Sequence, residues 1–513
     1  MRTHFLKQLG HDIWSRRNGW LHIFLAVVIA TGIFFRVAEY LQNRSLWLDE
    51  VTVTQRVARC SVPEMIDQRN EDGCLLGYPI GFLAFEKFAA NTWGAHELSL
   101  RLLALFAGCV SIYVMFLVAR GIFSLPVSLA VTAVFSFSPS LIYYSSEIKP
   151  YMLDVLAALL ILLVLYRLPS LPQSSKRPWL AVAAAFFICA FSFPALFVLA
   201  GAGLPAAAYY FFTRRRRAAL QSLLFVIAGI AGFLIYCVFV LHSFEAESTM
   251  HSTWQAWFLS TENVRLLWRG LSLKMFYISP LALLILCVLG AVYGAAHDRK
   301  SLFMIAGVLI VSAVMSALKI YPLWDRWVLF LMPFFMLLMG KALDGLWGYR
   351  HPWFMCTGRL IAIGFMVLIF HRPLYVAWQQ FRYPYGHEEI RPAMRVIKEN
   401  GRPGDTIYVY YGAKKIFEYY APRFHFTEDD YRVSPSSRDD RSAYIRDIAA
   451  AARGRVWFMG THFYYDEHAF FMRQFLRHCR EDGRVILRTC SDCPPGNLTL
   501  PIAGVLHLFQ CER

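Results

Sequence analysis

Three groups of ionisable and aromatic side chains in this 513-residue chain have the types and spacing that acid–base and phosphate chemistry needs. The first group is Trp47-Leu-Asp49-Glu50. Its leading aromatic and apolar residues would sit at a membrane interface and so fix the height of the two carboxylates. A carboxylate in that position suits a general base for a substrate whose head lies at the membrane surface. External loops contain acids in any case, so both interpretations of this pair stay open.

The second group places an acid and a base beside a proline, in the sequence Tyr144-Ser-Ser-Glu147-Ile-Lys149-Pro150-Tyr151. Proline is favoured at the start of a helix, so Glu147 and Lys149 are expected at the outer edge of a membrane span. A carboxylate and an ammonium there could hold a sugar hydroxyl and the phosphate of a lipid. An ion pair at the membrane edge is the simpler interpretation.

The third group is Lys319-Ile-Tyr321-Pro322-Leu-Trp324-Asp325-Arg326-Trp327, expected at the outer start of a later span. The guanidinium of Arg326 presents a fork of N–H donors that matches phosphate oxygens. Its alternative role is to reach from the span to the interface beside the two tryptophans. The three groups are expected on one face of the membrane, and together they describe a site for a phosphate-linked lipid.

The composition indicates a polytopic membrane protein. Hydrophobic residues make up 57% of the chain and charged residues only 17%. Soluble domains carry about 25% charged and roughly 45–50% apolar residues. These values exclude a disordered chain, a collagen-like chain and a small disulfide scaffold. The net charge of +16 is therefore attributed to basic cytoplasmic loops and not to binding of nucleic acid.

Apolar runs predict about eleven spans with the N-terminus in the cytoplasm. The first run is too long for a cleaved signal peptide, and no small-residue cleavage site follows it. The two crossings between 178 and 212 share little chain, so each would be short. The runs cover 19–41, 99–119, 125–140, 150–167, 178–193, 195–212, 219–241, 273–296, 302–318, 326–345 and 357–377.

The segment 76–92 decides the predicted topology. It is apolar enough to span, but Glu86 and Lys87 stand near its middle. Each charge at the bilayer centre costs about 2.5–3.5 kcal/mol on the insertion scale. We therefore expect the segment to lie in the outer interface or dip into it. This choice keeps basic clusters such as Arg214–Arg217 in the cytoplasm and places the C-terminal region outside.

Six of the eleven cysteines fall in segments that are expected outside the cytoplasm. An oxidising compartment permits disulfides there, and Cys60–Cys74 is the favoured pair because it would close the first external loop. Cys490 and Cys493 have a CxxC spacing. A local disulfide or free thiols are favoured for them over a metal site.

From Trp378 onwards the composition becomes polar, and strand-like and helix-like runs alternate. This alternation predicts a small α/β domain over 378–513, after a transmembrane domain over 1–377 whose external loop covers 42–98. The α/β domain contains no Walker A, GxGxxG or HExxH motif, so a structural or acceptor-docking role is favoured. Strands are expected at Thr406–Tyr411, Arg455–Gly460, Arg484–Arg488 and Val505–Phe509, and helices at 391–400, 413–421, 441–453 and 466–481.

In order and spacing, these motifs resemble the GT-C superfamily of polyprenyl-phosphate-dependent glycosyltransferases. Within it the chain is similar to family 39 and its bacterial relatives, the protein O-mannosyltransferases and lipid A aminoarabinose transferases. The resemblance covers about residues 20–345 and includes the C-terminal domain. It rests on Trp47-Leu-Asp49-Glu50, on 94–101, on Ser138-Pro139, on Tyr144 to Tyr151, and on Asp325-Arg326-Trp327 with Pro333.

The resemblance implies an inverting transferase that uses a lipid-monophosphate sugar at the non-cytoplasmic face of a bacterial inner membrane. It implies that Asp49 is the catalytic base, that Glu50 helps to bind the acceptor, and that Glu147 is the second acid of the site. Lys149 would bind the leaving phosphate, together with Arg326. Residues expected to contact substrate are Trp47, Tyr144, Tyr151 and Asp325.

The chain departs from the family pattern at two places. Relatives usually have arginine where Lys149 stands, and lysine keeps the charge but loses the fork. Relatives often carry His-Pro-Pro where this chain has Gly77-Tyr78-Pro79-Ile80. No cofactor is predicted, and a divalent metal stays open because no clear ligand motif supports it.

Two other functions remain as alternatives. A transporter or flippase of lipid-linked sugars would commonly show inverted repeats and ionisable residues near the bilayer midplane. No repeat is evident here, and the notable charges cluster at one predicted face. A non-catalytic sensor whose outer domain binds a glycan is the other alternative. The predicted partners are a polyprenyl-phosphate sugar, a cell-envelope acceptor (lipid, glycan or protein) and the bilayer, with the sugar, the acceptor and the oligomeric state open.

Overall fold

A computed structural model describes residues 19–66, 73–170, 177–240, 257–348, 355–384, 386, 388–436, 440–463, 466–488 and 502–511. The chain divides into two compact units. The helical unit comprises Met1–Leu41 and Arg56–Trp378, and the α/β unit comprises Gln42–Gln55 and Gln379–Arg513. The sequence places the same boundary near residue 378, but it assigns 42–55 to the transmembrane domain.

Most of the helical unit consists of long apolar helices, which identify a multi-pass membrane protein. Within the described ranges, eight helices are long and apolar enough to cross a membrane. Together with the C-terminal sheet described below, they confirm the predicted fold class. The eight helices are Gly19–Leu41, Glu97–Ile122, Ala195–Phe212, Arg216–Ile235, Pro280–His297, Arg299–Ala317, Asp325–Trp347 and Cys356–Arg382.

The other helices that precede residue 280 are shorter. Leu125–Ser136 and Pro139–Ser146 form a pair bent by 56°, which counts as one broken span or as a re-entrant segment. The expected interfacial segment contains a helix of 14 residues, Ile80–Trp93. The predicted number of eleven spans stays a prediction. The remaining helices are Leu48–Arg59, Val62–Ile66, Tyr151–Arg167, Arg177–Phe191 and Val264–Gly270.

Arg36 stabilises the break in the bent helix pair. A helix end leaves carbonyl groups without intrahelical donors, and the membrane interior offers them no water. The fully buried guanidinium of Arg36 donates to the carbonyl of Ser136 at 2.8 Å and to that of Phe135 at 3.4 Å. The chain can therefore leave the helix at Ser136 and turn towards the second group of predicted site residues.

The predicted disulfide Cys60–Cys74 is present in the structure. It connects the residue after the helix Leu48–Arg59 to the segment that leads to Ile80–Trp93. The guanidinium of Arg56 donates to the carbonyl of Leu75, which holds the same two segments together. Cys490 and Cys493 lie outside the described residues.

The α/β unit contains a five-stranded sheet with the order β2-β1-β3-β5-β4. Strand β1 pairs in parallel with β2 and β3, whereas β5 pairs antiparallel with β3 and β4. The sequence did not predict β2, which has only three residues. The strands are β1 Thr406–Val409, β2 Tyr431–Val433, β3 Arg455–Gly460, β4 Cys479–Arg488 and β5 Ile502–Cys511.

Helices cover the sheet and bury an aromatic core. Phe458 of β3 stacks on Phe471 at 5.5 Å between ring centroids, and both rings are fully buried. The predicted helix 466–481 ends at His478 instead, because Cys479 pairs with Cys511 of β5 and forms a second disulfide with it. The helices are Arg391–Asn400, Lys414–Tyr420, Arg441–Ala451 and Glu467–His478.

Close packing of two helices yields a first prediction. Gly307 lies against Gly201, and a Cβ atom on Gly307 would overlap with the carbonyl oxygen of Gly201. We expect Gly307→Ala to lower the thermal midpoint in lipid nanodiscs, since overpacking costs about 1–3 kcal/mol. Gly364→Ala is the matched control, because nothing lies within 4 Å of that Cβ position. Equal midpoints for the two variants would contradict the close contact.

A histidine pair in the α/β unit yields a second prediction. His468 Nε2 lies 3.2 Å from His507 Nε2, and His507 Nδ1 lies 2.8 Å from a carboxylate oxygen of Glu481. Burial, followed by the charge of His507, lowers the pKa of His468 from 6.5 to about 4. Burial also lowers the pKa of His507. The folded state therefore takes up protons less readily than the unfolded state.

The stability that these neutral rings contribute is present above the unfolded pKa of about 6.5 and is lost as the pH falls towards 4. We expect the thermal midpoint to fall between pH 7.5 and pH 5. The variant His468→Phe keeps an aromatic ring without a titrating group, so its midpoint should fall less over the same range. An equal fall in both proteins would show that His468 does not cause it.

Candidate functional site

The second predicted group lies on a tight turn in the helical unit. The N–H of Lys149 donates to the carbonyl of Glu147 at 2.8 Å, and Pro150 then caps the helix Tyr151–Arg167. The side chains of Glu147 and Lys149 are both buried. A charged side chain is costly to bury unless polar partners surround it, so the neighbours of this turn are informative.

Tyr78 is the side chain that holds the Lys149 ammonium. The Nζ atom donates to the Tyr78 hydroxyl and lies 4.7 Å from the centroid of the same ring. An ammonium so close to an aromatic face is attracted by the ring quadrupole as well as by the hydroxyl oxygen. The sequence marked Gly77 to Ile80 only as a departure from the family pattern. The structure therefore adds Tyr78, which lies directly before Pro79 at the start of the helix Ile80–Trp93, to the candidate site.

Arg326 belongs to the same cluster of cations and aromatics. Its guanidinium carbon lies 6.0 Å from the centroid of Tyr151, and Tyr151 also experiences the positive charge of Lys149. The ring of Tyr151 packs edge-on against Trp327 and Tyr144, at centroid distances of 6.2 and 5.6 Å. Two predicted groups that are far apart in sequence are thus brought together by their aromatic rings.

Asp325 is the first residue of the span Asp325–Trp347, which opens with the 3-10 helix Asp325–Leu331. Its φ angle of 49° is left-handed, a conformation that residues other than glycine rarely adopt and that concentrates at functional sites. Its negative charge acts on Tyr144, as does that of Glu147. The helical unit therefore assembles Lys149, Arg326, Tyr78, Tyr144, Tyr151, Asp325 and Glu147 into one charged aromatic cluster.

An apolar groove of about 200 Å³ adjoins Asp325. Its walls include Leu267, Leu309 and Phe335, so three separate helical segments form it. Lys274 also lines the groove and lies 5.5 Å from the ring centroid of Trp324. A hydrocarbon chain fits such walls, while the charged residues Lys274 and Asp325 provide polar contacts.

The first predicted group belongs to the α/β unit. Asp49 and Glu50 stand in the first turn of the helix Leu48–Arg59, where negative charge interacts favourably with the helix dipole. Glu50 and Trp47 are buried, and Asp49 is half-buried. The N–H of Val51 donates to the carbonyl of Trp47 at 2.9 Å, which makes Trp47 the residue that begins the helix.

Side chains that follow the last span hold the residues before this helix. The carboxylate of Glu389 accepts from the N–H and the hydroxyl of Ser45, and Arg391 Nε donates to the Ser45 hydroxyl at 3.1 Å. The hydroxyl of Tyr420 accepts from the N–H of Leu46 at 2.8 Å. Ser45 and Leu46 are thus held by bonds to the rest of the α/β unit.

Glu388 bonds to the helix start itself. Its Oε2 atom accepts from the N–H of Leu48 at 2.8 Å, and its Oε1 atom accepts from Nδ1 of His462. The sequence missed this whole set of partners. A bond across 340 residues leaves no local pattern in the sequence. The only signal was the presence of acids directly after the last span.

No metal site is found among the residues that the structure describes, since no three His, Cys, Asp or Glu side chains gather where they could hold an ion. The seven ionisable and aromatic residues of the helical cluster instead combine cations, hydroxyls and rings. The cations of the helical cluster can bind phosphate oxygens. The carboxylates of Asp49 and Glu50 can accept protons.

Comparison with protein-family models finds no match, and comparison with curated proteins finds none either. Among solved structures, the chain is similar to ArnT from Cupriavidus metallidurans bound to undecaprenyl phosphate, with 13% identity, a TM-score of 0.46, and 96% of this chain and 98% of that chain covered. It is also similar to the archaeal oligosaccharyltransferase AglB from Archaeoglobus fulgidus, in complex with an inhibitory peptide and a dolichol-phosphate. That match has 11% identity and a TM-score of 0.47, and covers 86% of this chain and 69% of that chain.

Proposed function

We propose that this protein is an inverting glycosyltransferase that moves a sugar from a polyprenyl-phosphate-linked donor to a cell-envelope acceptor. The observation that carries the proposal is the cluster of Lys149, Arg326, Tyr78 and Tyr151 beside an apolar groove. A lipid phosphate combines an anionic head with a hydrocarbon chain. The cluster suits the head, and the groove suits the first part of the chain.

The cations would act mainly on the leaving group. As the bond between the sugar and the phosphate breaks, negative charge develops on the phosphate oxygens. Lys149 and Arg326 lower the barrier if their contacts strengthen with that charge. The sugar centre then gains positive character, as in glycoside hydrolysis, and Glu147 is the acid assigned to it.

Asp49 is the proposed general base, which takes the proton from the acceptor hydroxyl. Glu50 helps to orient the acceptor, and Trp47, Tyr144, Tyr151 and Asp325 are proposed substrate contacts. The donor arrives already activated by its phosphate, so the reaction needs neither a nucleotide nor a redox cofactor.

The disulfides support a location of these residues on the non-cytoplasmic side. Cys60–Cys74 lies in the first external loop of the predicted topology, and Cys479–Cys511 lies in the α/β unit. Disulfides persist in oxidising compartments such as the bacterial periplasm and are rare in the cytosol. We therefore propose a bacterial inner membrane protein with a cytoplasmic N-terminus and a periplasmic active site and C-terminal domain.

The decisive experiment measures release of free polyprenyl phosphate from a panel of short polyprenyl-phosphate sugars. The purified protein is used in lipid nanodiscs, with crude envelope extract as the acceptor. We expect release with one sugar, and Asp49→Asn should reduce kcat by about 10²–10⁴-fold while donor binding is kept. Transport of donor without release of the phosphate would instead support a flippase.

Lys149 provides a further prediction, which concerns donor binding. Its loss should weaken donor binding, since a hydrogen bond to a charged group contributes about 1.5–3 kcal/mol. We expect Lys149→Gln to raise the Kd for a polyprenyl-phosphate sugar by roughly 10–100-fold, measured by fluorescence competition. Lys398→Gln is the control, because Lys398 is exposed and lies in the α/β unit, outside the three predicted groups. An unchanged Kd in Lys149→Gln would contradict the assignment of the phosphate site.

A further inference from the structure

The helix that carries Asp49 is capped by a side chain from a distant part of the chain. The first N–H groups of a helix have no intrahelical acceptor and need one from elsewhere. For Leu48 that acceptor is the Glu388 carboxylate, 340 residues away, at 2.8 Å. A negative charge at this end also interacts favourably with the helix dipole. Asp49 is the next residue, so a displacement of Leu48 displaces Asp49 as well.

His462 determines the orientation of Glu388. A carboxylate can only accept, so Nδ1 of His462 carries the proton and donates it to Oε1 of Glu388. The Glu388 side chain is 4% exposed and that of His462 is 28% exposed. The Glu388 carboxylate therefore accepts from the His462 imidazole with one oxygen and from the N–H of Leu48 with the other.

The backbone of His462 supports a specific role for this residue. Its φ angle is 55°, in the left-handed region that glycine and asparagine tolerate best. A residue other than glycine persists in this conformation when its surroundings hold it there. The bond to Glu388 is one that glycine could not supply.

The place of His462 in the sheet is also informative. Strand β1 lies between β2 and β3 and runs parallel to both, so the chain crosses over β1 on its way from β2 to β3. The carboxyl ends of β1 and β3 therefore form a topological switch point, where α/β sheets bind their ligands. His462 follows β3 at this edge, and Gly412, which follows β1, lies close to the carbonyl of His462.

We propose that Glu388 and His462 are positioning residues for Asp49. Glu388 fixes the start of the helix Leu48–Arg59, and His462 fixes Glu388 from the switch point of the sheet. The α/β unit thereby sets the place of the general base and is more than an acceptor-docking cap. This inference rests on the proposed function for the role of Asp49, but the capping itself can be tested without it.

The first test compares two replacements of Glu388 in the full-length protein in lipid nanodiscs, by hydrogen exchange of peptides that cover 46–53. Glu388→Leu removes both acceptors, and we expect exchange of the first-turn amides to accelerate about tenfold. Glu388→Gln keeps an amide oxygen for the Leu48 N–H and should stay near the wild-type rate. Glu399→Leu is the folding control, because that glutamate is exposed in the same unit. Unchanged exchange in Glu388→Leu would overturn the proposal.

The second test separates the histidine ring from its backbone. His462→Asn tolerates the left-handed conformation and keeps an N–H donor, whereas His462→Gly keeps the conformation and loses the donor. With the polyprenyl phosphate release assay, we expect kcat to fall about 10–100-fold in His462→Gly and Glu388→Leu, with the donor KM unchanged. The variants His462→Asn and Glu388→Gln should retain most of the wild-type kcat.

The two tests fail in different ways. Faster exchange with unchanged kcat would show that the pair stabilises the helix without positioning a base, and this would overturn the proposal. Equal loss of kcat in His462→Asn and His462→Gly would exclude the donor bond as the cause. A wild-type protein that releases no phosphate from any donor would refute the proposed function, while hydrogen exchange would still decide whether Glu388 holds the helix start.

Discussion

Inside a membrane protein, a backbone carbonyl that leaves its helix must find a donor within the protein, because no water reaches it. The break after Ser136 creates this requirement, and the guanidinium of Arg36 fulfils it by donating to the carbonyls of Phe135 and Ser136. The turn that carries Glu147 and Lys149 follows from this break. A continuous helix through these residues would distribute their side chains around its circumference. The candidate site of the helical unit thus depends on one buried arginine in the first span.

Lys149 poses the same problem for a donor: its ammonium is buried and needs acceptors within the protein. A buried ammonium is costly, and here a tyrosine hydroxyl and an aromatic face offset part of the loss of water. Under the proposed function, an incoming phosphate would meet an ammonium that is already desolvated, and their contact would be stronger than in water.

The sequence predicted the fold class, the start and end of most C-terminal elements, and the disulfide Cys60–Cys74. These features depend on local periodicity, composition and the redox compartment. It did not predict Tyr78 as the partner of Lys149, or Arg36 at the helix break, because both contacts depend on helix packing. Strand β2 was missed because three residues carry too little periodicity. The predicted helix 466–481 was extended past His478 into the strand that begins at Cys479, because the pairing of Cys479 with Cys511 is a tertiary constraint.

The bonds that hold Leu46 and Leu48 also constrain the order in which parts of the protein can fold. Leu48 leaves the ribosome 340 residues before Glu388, and Leu46 leaves it 374 residues before Tyr420. Until those partners are synthesised, the N–H groups of Leu48 and Leu46 lack the acceptors that they have in the finished protein. Long-range contacts of this kind form late in folding. In a nascent chain with only its first spans inserted, the segment with Asp49 and Glu50 would therefore lack these bonds. A chain truncated before the sheet would keep its membrane helices but would not form the bond from Leu46 to Tyr420.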